Sequence, residues 1–112
     1  ERVGTTVEKV YLDEIVYLMT EGRKVRVQKT TGSYVARTRM VEYEEVLDKR
    51  FYRCHTAYIV NMEHVLKIDG MEIQVSNGDT IYTSKGKKKE FMAALGDYLN
   101  EKSIKKFDMM GD

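Results

Sequence analysis

Short periods typical of β-strands dominate the pattern of hydrophobic and polar residues over the first eighty positions. DEIVYLM (13–19) contains a continuous apolar run of strand length, IVYLM, and KVRVQ (24–28) alternates two valines with polar residues, as a half-buried strand does. Between them TEGR (20–23) supplies a glycine turn, and SYVARTR (33–39) reads as a further strand. The pattern predicts a mainly β fold of small antiparallel sheets and hairpins.

Two tight turns are predicted farther along, at Asp69–Gly70 and Asn77–Gly78, because these residue pairs tolerate the positive φ angles of hairpins. A two-residue loop at Asp69–Gly70 would oppose two apolar pairs on one face of the ribbon: Ile68 with Met71, and Leu66 with Ile73. The second hairpin leaves two registers open, with Val75 opposite either Thr80 or Ile81.

Helical periodicity appears twice. MVEYEEVL (40–47) predicts two helical turns with one apolar side, formed by Met40, Tyr43, Val46 and Leu47. A longer helix is predicted after an N-cap at Ser84. Its apolar stripe is formed by Phe91, Ala94, Leu95, Tyr98 and Leu99. We therefore expect one domain over residues 1–100, with residues 101–112 as a tail or a short extra helix.

Composition narrows the class of protein. The 112 residues suit a single core, and 19 basic against 18 acidic residues leave a net charge of +1, which does not by itself indicate a nucleic-acid binder. Cys54 is the one cysteine, so no internal disulfide framework is possible, and no apolar run approaches the roughly 20 residues that cross a bilayer. A cytoplasmic location without membrane insertion is expected.

Charge is distributed unevenly, with basic or polar stretches at three element ends: EGRK (21–24), RCHT (53–56) and TSKGK (83–87). Lysines crowd the start of the last predicted helix, at positions 85, 87, 88 and 89, where the helix dipole favours acidic residues. A phosphate oxygen bound there would offset that cost. The alternative is that the lysine stems extend into solvent.

The sequence contains no motif that is typical of a catalytic site or a metal site. Cys54 and His55 are adjacent on a strand and point to opposite faces, and no second ligand pair at zinc spacing occurs. Nothing places an orienting Asn or Asp beside His55 or His64 for cysteine catalysis, and TSKGKKKE lacks the spacing of a P-loop. We expect no enzymatic activity, no metal and no cofactor.

FYRCHTAYIVNMEHVLKI (51–68), followed by NGDTIYTSKGKKKEFMAALGDYL (77–99), resembles the LytTR-type DNA-binding domain of bacterial response regulators. The likeness extends from about Leu12 to Leu99 and includes LDEIVYLMTEGRKVRV and the EYEEVL helix in their expected places. The resemblance implies a mostly antiparallel β fold that binds direct-repeat promoter sites on double-stranded DNA. It also implies a dimer on DNA, an upstream receiver domain and a sensor kinase.

In that family, loop side chains enter successive grooves on one face of the duplex. Carried over by position, the resemblance assigns DNA contacts to Arg23, Lys24, His55, Thr56, Lys85 and Lys87. It assigns to Arg53 and Asn61 hydrogen bonds to the backbone that support the loop exposing His55.

Two positions depart from the family pattern. Ala57 replaces a serine that could touch a phosphate, and Gly86 replaces a common arginine. Lys85 or Lys87 must then substitute for that arginine, although lysine lacks the two-pronged contact with guanine. Two alternative functions remain open: a protein-interaction module that uses a β edge, and a single-stranded RNA binder that stacks bases on exposed tyrosines such as Tyr52 and Tyr58.

Overall fold

A computed structural model describes residues 9–101 as two antiparallel sheets and two α-helices. In chain order the elements are β1 (Ile15–Glu21), β2 (Lys24–Lys29), β3 (Gly32–Ala36), α1 (Met40–Val46), β4 (Phe51–His55), β5 (Tyr58–Asn61), β6 (Val65–Asp69), β7 (Glu72–Val75), β8 (Thr80–Tyr82) and α2 (Lys88–Glu101). Single 3₁₀ turns occur at Leu12–Glu14, Met62–His64 and Lys85–Lys87. The predicted mainly β fold with one short helix and a longer second helix is confirmed.

The larger sheet has the strand order β3-β2-β1-β5-β4, and the smaller has the order β6-β7-β8. Glu21 pairs with Lys24, so β1 and β2 are joined by the two-residue turn Gly22–Arg23, with Gly22 at a φ of +65°. The turn that TEGR predicts is therefore present. The alternation in KVRVQ is also confirmed, because Val25 and Val27 are both buried.

The central strand β1 is buried on both faces, which explains why its sequence is a continuous apolar run and does not alternate. Val16 and Tyr17 belong to one core cluster, which includes Ile73, Ile81 and Phe91 from the small sheet and α2. Leu18 belongs to a second cluster with Met40 at the start of α1. The large sheet thus separates two cores, with α1 on one side and the small sheet with α2 on the other.

Both predicted hairpin registers are wrong in detail. Asp69 pairs with Glu72 and Ile68 with Ile73, so the first loop is Gly70–Met71 and not Asp69–Gly70. A bulge then sets Val65 opposite Val75, and Leu66 is 63% exposed. The positive φ of Gly70, +64°, is thus used at the first loop position.

The second hairpin has a three-residue loop, Ser76–Gly78, so Val75 opposes neither Thr80 nor Ile81. Gln74 pairs with Thr80, and the Val75 amide donates to the carbonyl of Asp79 at 3.1 Å. The Asn77 side-chain oxygen accepts from the Asp79 amide at 3.0 Å. This side-chain turn stabilises the longer loop.

Both predicted helices form, with two differences. Val46 is 75% exposed, because the short helix α1 ends there and only Met40, Tyr43 and Leu47 of its predicted apolar side pack on the sheet. Ser84 precedes the 3₁₀ turn, but its side chain makes no capping hydrogen bond. Neither described helix is long and apolar enough to cross a membrane.

The apolar stripe of α2 is buried as its period predicts, with Phe91, Leu95 and Tyr98 in the core cluster that holds residues of both sheets. Glu101 is the last residue of α2. Of the tail or extra helix expected over residues 101–112, Glu101 belongs to α2, and residues 102–112 lie outside the described part of the chain.

Candidate nucleic-acid interface

Two of the three basic connections are neighbours at one end of the large sheet. The Gly22–Arg23 turn joins β1 to β2, and the Thr56–Ala57 turn joins β4 to β5. The C-terminal half of β1 pairs with the start of β5, where Met19 is opposite Tyr58. The Thr20 amide of β1 donates to the carbonyl of Ala57 at 2.9 Å, so the two turns lie side by side.

The third connection, from β8 to α2, is attached to the same end of the sheet through β4. The Cys54 carbonyl accepts two hydrogen bonds, from the Ser84 amide at 2.8 Å and from the Thr83 hydroxyl at 3.0 Å. Lys87 Nζ donates to the carbonyl of Arg53 at 3.4 Å. The three basic stretches, which are far apart in sequence, therefore lie together in space.

Thr83 is a residue of this site that the sequence interpretation missed. Its side chain is 3% exposed and joins the β8–α2 connection to β4. The signal available in the sequence was only a threonine between a strand and a helix. That pattern does not distinguish a solvent-facing hydroxyl from a buried one.

The predicted contact residues differ in how freely they reach solvent. Arg23, Lys24, Thr56 and Lys85 are exposed, whereas His55 and Lys87 are half-buried. Within residues 9–101, Arg23 and Lys85 have no hydrogen-bond or ion-pair partner. Their cationic ends can therefore bind an anion without breaking an internal contact.

His55 has a defined hydrogen-bonding polarity. Its Nδ1 accepts a hydrogen bond from the Ala57 amide at 3.0 Å, and its ring packs edge-on against Tyr58 at 5.6 Å between centroids. A nitrogen that accepts carries no proton, so the neutral ring bears its proton on Nε2. The imidazole is thus held as a donor that can address a base-edge acceptor or a phosphate oxygen.

Arg53 connects the His55 turn to helix α1. One terminal guanidinium nitrogen donates to the carbonyl of Thr56 at 2.7 Å, and the other donates to Glu44 Oε1 at 3.0 Å. Its Nε is buried without a partner among the described residues. Glu44 of α1, a residue that the sequence alone does not mark, is therefore part of the support for this turn.

Asn61 lies elsewhere, and its predicted contact with the loop that exposes His55 is wrong. Its Nδ2 donates to the carbonyl of Ile15 at 2.8 Å and to that of Leu12 at 3.4 Å, and its Oδ1 accepts from the Glu63 amide at 2.9 Å. Asn61 ends β5, at the opposite end of that strand from the His55 turn. It joins the end of β5 to the start of β1, so it stabilises the large sheet and not the His55 turn.

The two ends of the large sheet differ in charge. At the end away from the basic turns, an open depression is lined by Asp13, Asp48 and Glu63 together with Lys49, Arg50 and His64. Here the charges are mixed and several are paired, for example Arg50 with Asp48 at 3.0 Å. A polyanion would therefore be attracted to the basic end and not to this one.

Perturbed pKa values near the interface include those of Glu21 and Cys54. A hydrogen bond from Arg26 holds the pKa of the exposed Glu21 carboxyl below its ordinary value, so this residue is an anion paired with that arginine. Burial raises the pKa of the Cys54 thiol to about 12. Cys54 is fully buried, and its sulfur lies 3.6 Å from the carbonyl of Tyr82, so it serves as part of the core.

The tyrosines suggested as stacking surfaces for RNA bases are engaged in the protein core. Tyr52 packs on Phe91 with ring centroids 5.5 Å apart, and Tyr58 packs edge-on against Tyr17 at 6.1 Å. Both are half-buried, so the expectation that they are exposed is wrong. Among residues 9–101, no group of three or more His, Cys, Asp or Glu side chains is placed to hold a metal ion.

Comparisons with known proteins match this chain in sequence and in fold. The sequence profile of the LytTr DNA-binding domain matches residues 5–96. A solved structure from Bacillus cereus, described as the LytTr DNA-binding domain of a methyl-accepting/DNA response regulator, superposes with a TM-score of 0.72 at 26% identity. The match covers 78% of this chain and 85% of that one. A search of curated proteins gave no match. With the profile covering most of its length, this chain belongs to the LytTr DNA-binding domain family.

Proposed function

We propose that this chain is the output domain of a bacterial two-component response regulator and that it regulates transcription from the cytoplasm without catalysing a reaction. The observation that carries the proposal is the clustering of three basic connections at one end of the sheet, joined through the Ala57 and Cys54 carbonyls. Its ligand is double-stranded DNA carrying direct repeats, bound by two copies of the domain. A receiver domain upstream and a sensor kinase complete this scheme.

The width of the basic end supports contact with successive grooves. Five strands have four spacings of about 4.8 Å, so the end of the sheet is about 19 Å wide. The major and minor grooves of B-DNA are about 12 Å and 6 Å wide. A row of turns along this end therefore covers one groove and reaches the next.

Within this row the side chains have different tasks. Arg23 carries a guanidinium that matches the two acceptors of a guanine edge, and His55 presents a single N–H donor. Lys24, Lys85 and Lys87 are point charges suited to phosphate oxygens, and Thr56 offers a hydroxyl. Arg53 holds the turn through the Thr56 carbonyl at 2.7 Å. Base reading is thus concentrated on Arg23 and His55, with the lysines supplying affinity.

The test begins with a duplex selected from a random-sequence library by this protein. Binding is then measured by fluorescence anisotropy across a salt series, with scrambled duplex and single-stranded RNA as competitors. The salt slope is the steepness with which the logarithm of the affinity falls against the logarithm of the salt concentration. Lys85→Ala and Lys87→Ala should each lower this slope by about 0.9 for every duplex. Arg23→Ala should relax the preference at one base position by about 1–3 kcal/mol.

Lys49→Ala is the matched control, because it removes one positive charge from the mixed-charge end of the molecule. It should leave affinity and salt slope unchanged. The proposal is wrong if all three interface variants behave as this control does, or if single-stranded RNA competes as well as the selected duplex. Two copies per selected duplex, measured by mass photometry, test the dimeric arrangement.

A further inference from the structure

We infer that Arg37 and Arg39 form a fourth DNA contact, on the phosphates that border the groove occupied by Arg23. The inference rests on the proposed function. It adds two arginines that the DNA-contact residues assigned above do not include. It is carried by a cationic groove between the β1–β2 turn and the connection from β3 to α1.

Strand pairing places this connection at the basic end. Val25 pairs with Ala36, so the chain leaves β3 beside the start of β2 and next to the Gly22–Arg23 turn. Four connections therefore follow one another along this end, in the order 37–39, 22–23, 56–57 and 83–87. The β3–α1 connection is the outermost on the side away from Lys87.

The groove at this corner has an open volume of about 510 Å³ and is lined by four cationic side chains, Arg23, Lys24, Arg37 and Arg39. Its other lining residues carry no charge. Four like charges around one groove repel one another unless an anion lies between them. Such an arrangement is suited to an anionic ligand.

Among the described residues, little neutralises the two arginines of the β3–α1 connection. Arg37 is exposed and has no hydrogen-bond or ion-pair partner in the described part of the chain. Within residues 9–101, Arg39 has a single ion pair, with Glu42 at 3.5 Å, and its side chain remains 72% exposed. Salt screens an exposed pair of this kind, so Arg39 can exchange Glu42 for a phosphate.

The position favours the sugar-phosphate backbone over base edges. β3 is the edge strand, two strand spacings or about 10 Å from β1. If the Arg23 turn enters a DNA groove, the β3–α1 connection beyond it meets the DNA backbone that borders that groove. A guanidinium can donate two parallel hydrogen bonds to the oxygens of one phosphate. Because every nucleotide carries a phosphate, this contact contributes affinity that is independent of the DNA sequence.

The experiment compares the Arg37→Gln/Arg39→Gln double variant with the Lys29→Ala/Lys49→Ala double variant, on both the selected and a scrambled duplex. Lys29 and Lys49 lie at the opposite end of the sheet, so the control removes the same charge elsewhere. The arginine variant should lower the salt slope by about 1.8, which corresponds to about a 12-fold smaller loss of affinity between 50 and 200 mM salt. Its ratio of affinities for the selected and scrambled duplexes should stay unchanged.

A second variant, Arg37→Lys/Arg39→Lys, keeps both charges and the start of α1, and should restore the slope. The inference is overturned if Arg37→Gln/Arg39→Gln has the same salt slope as the Lys29→Ala/Lys49→Ala control while Arg23→Ala and Lys87→Ala still weaken binding. It is also overturned if the loss is confined to the selected duplex. If Arg23→Ala and Lys87→Ala have no effect either, the proposed function itself fails.

Discussion

Asn61→Ala is the substitution whose cost follows most directly from the structure. Asn61 is fully buried at the end of β5 and makes two well-formed hydrogen bonds, to the Ile15 carbonyl at 2.8 Å and from the Glu63 amide at 2.9 Å. Alanine removes both partners and leaves the Ile15 carbonyl and the Glu63 amide in place. A third contact, with the Leu12 carbonyl at 3.4 Å, is too long to contribute much.

The magnitude follows from burial. A buried polar group left without its partner costs about 1–3 kcal/mol, and the Ile15 carbonyl belongs to a residue that is 5% exposed. Glu63 is exposed, so water can replace part of its bond and its contribution falls in the lower part of that range. Together we expect a loss of about 2–4 kcal/mol in the free energy of unfolding, including the small void left by the amide.

Urea unfolding followed by circular dichroism measures this change, and thermal melting should show a Tm lower by roughly 10–30 °C. Asn100→Ala is the control, because Asn100 is exposed on α2 and its loss should change stability by less than about 0.5 kcal/mol. An Asn61→Ala loss below about 1 kcal/mol, or one no larger than that of Asn100→Ala, would refute the assignment of Asn61 as the link between β5 and β1.

Three further predictions concern other parts of the molecule. Tyr17→Phe removes the hydrogen bond from Tyr17 to Asp79 Oδ2 at 2.8 Å and should cost about 1–3 kcal/mol in urea unfolding. Burial and the hydrogen bond to Asp79 raise the pKa of Tyr17, so the tyrosine ionises at a lower pH in the unfolded chain than in the folded protein. The free energy of unfolding of the wild type should therefore fall as pH rises above about 10, and the Phe variant should show a shallower fall. Since burial raises the pKa of Cys54 to about 12, iodoacetamide at pH 8 should label it only in denaturant; rapid labelling of the folded protein would contradict that environment. Arg53→Lys should weaken DNA binding and speed amide exchange at residues 55–57, because one ammonium cannot hold both Thr56 and Glu44; unchanged exchange would show that the turn does not depend on the guanidinium.

Local sequence determined the identity of most elements in this protein. The period of apolar residues predicts α2 and its buried stripe, and the continuous apolar run of β1 is the pattern of a strand covered on both faces. Glycine-containing pairs correctly indicate both later hairpins. These features depend on residues close together in the chain, so their pattern carries the information. The basic stretches of the candidate interface are visible for the same reason.

Tertiary structure decided what depends on pairing between distant residues. The hairpin registers were set by the Gly70 loop position and by the side-chain turn at Asn77, which local apolarity alone does not distinguish. One partner of Asn61, the Ile15 carbonyl, lies in β1, forty-six residues away along the chain. Arg37 joins the basic end only because Val25 pairs with Ala36. Periodicity shows which face of a strand a side chain occupies, whereas strand order and register decide which ends meet. For this physical reason the basic stretches can be read from the sequence, but their assembly at one end of the sheet is visible only in the folded protein.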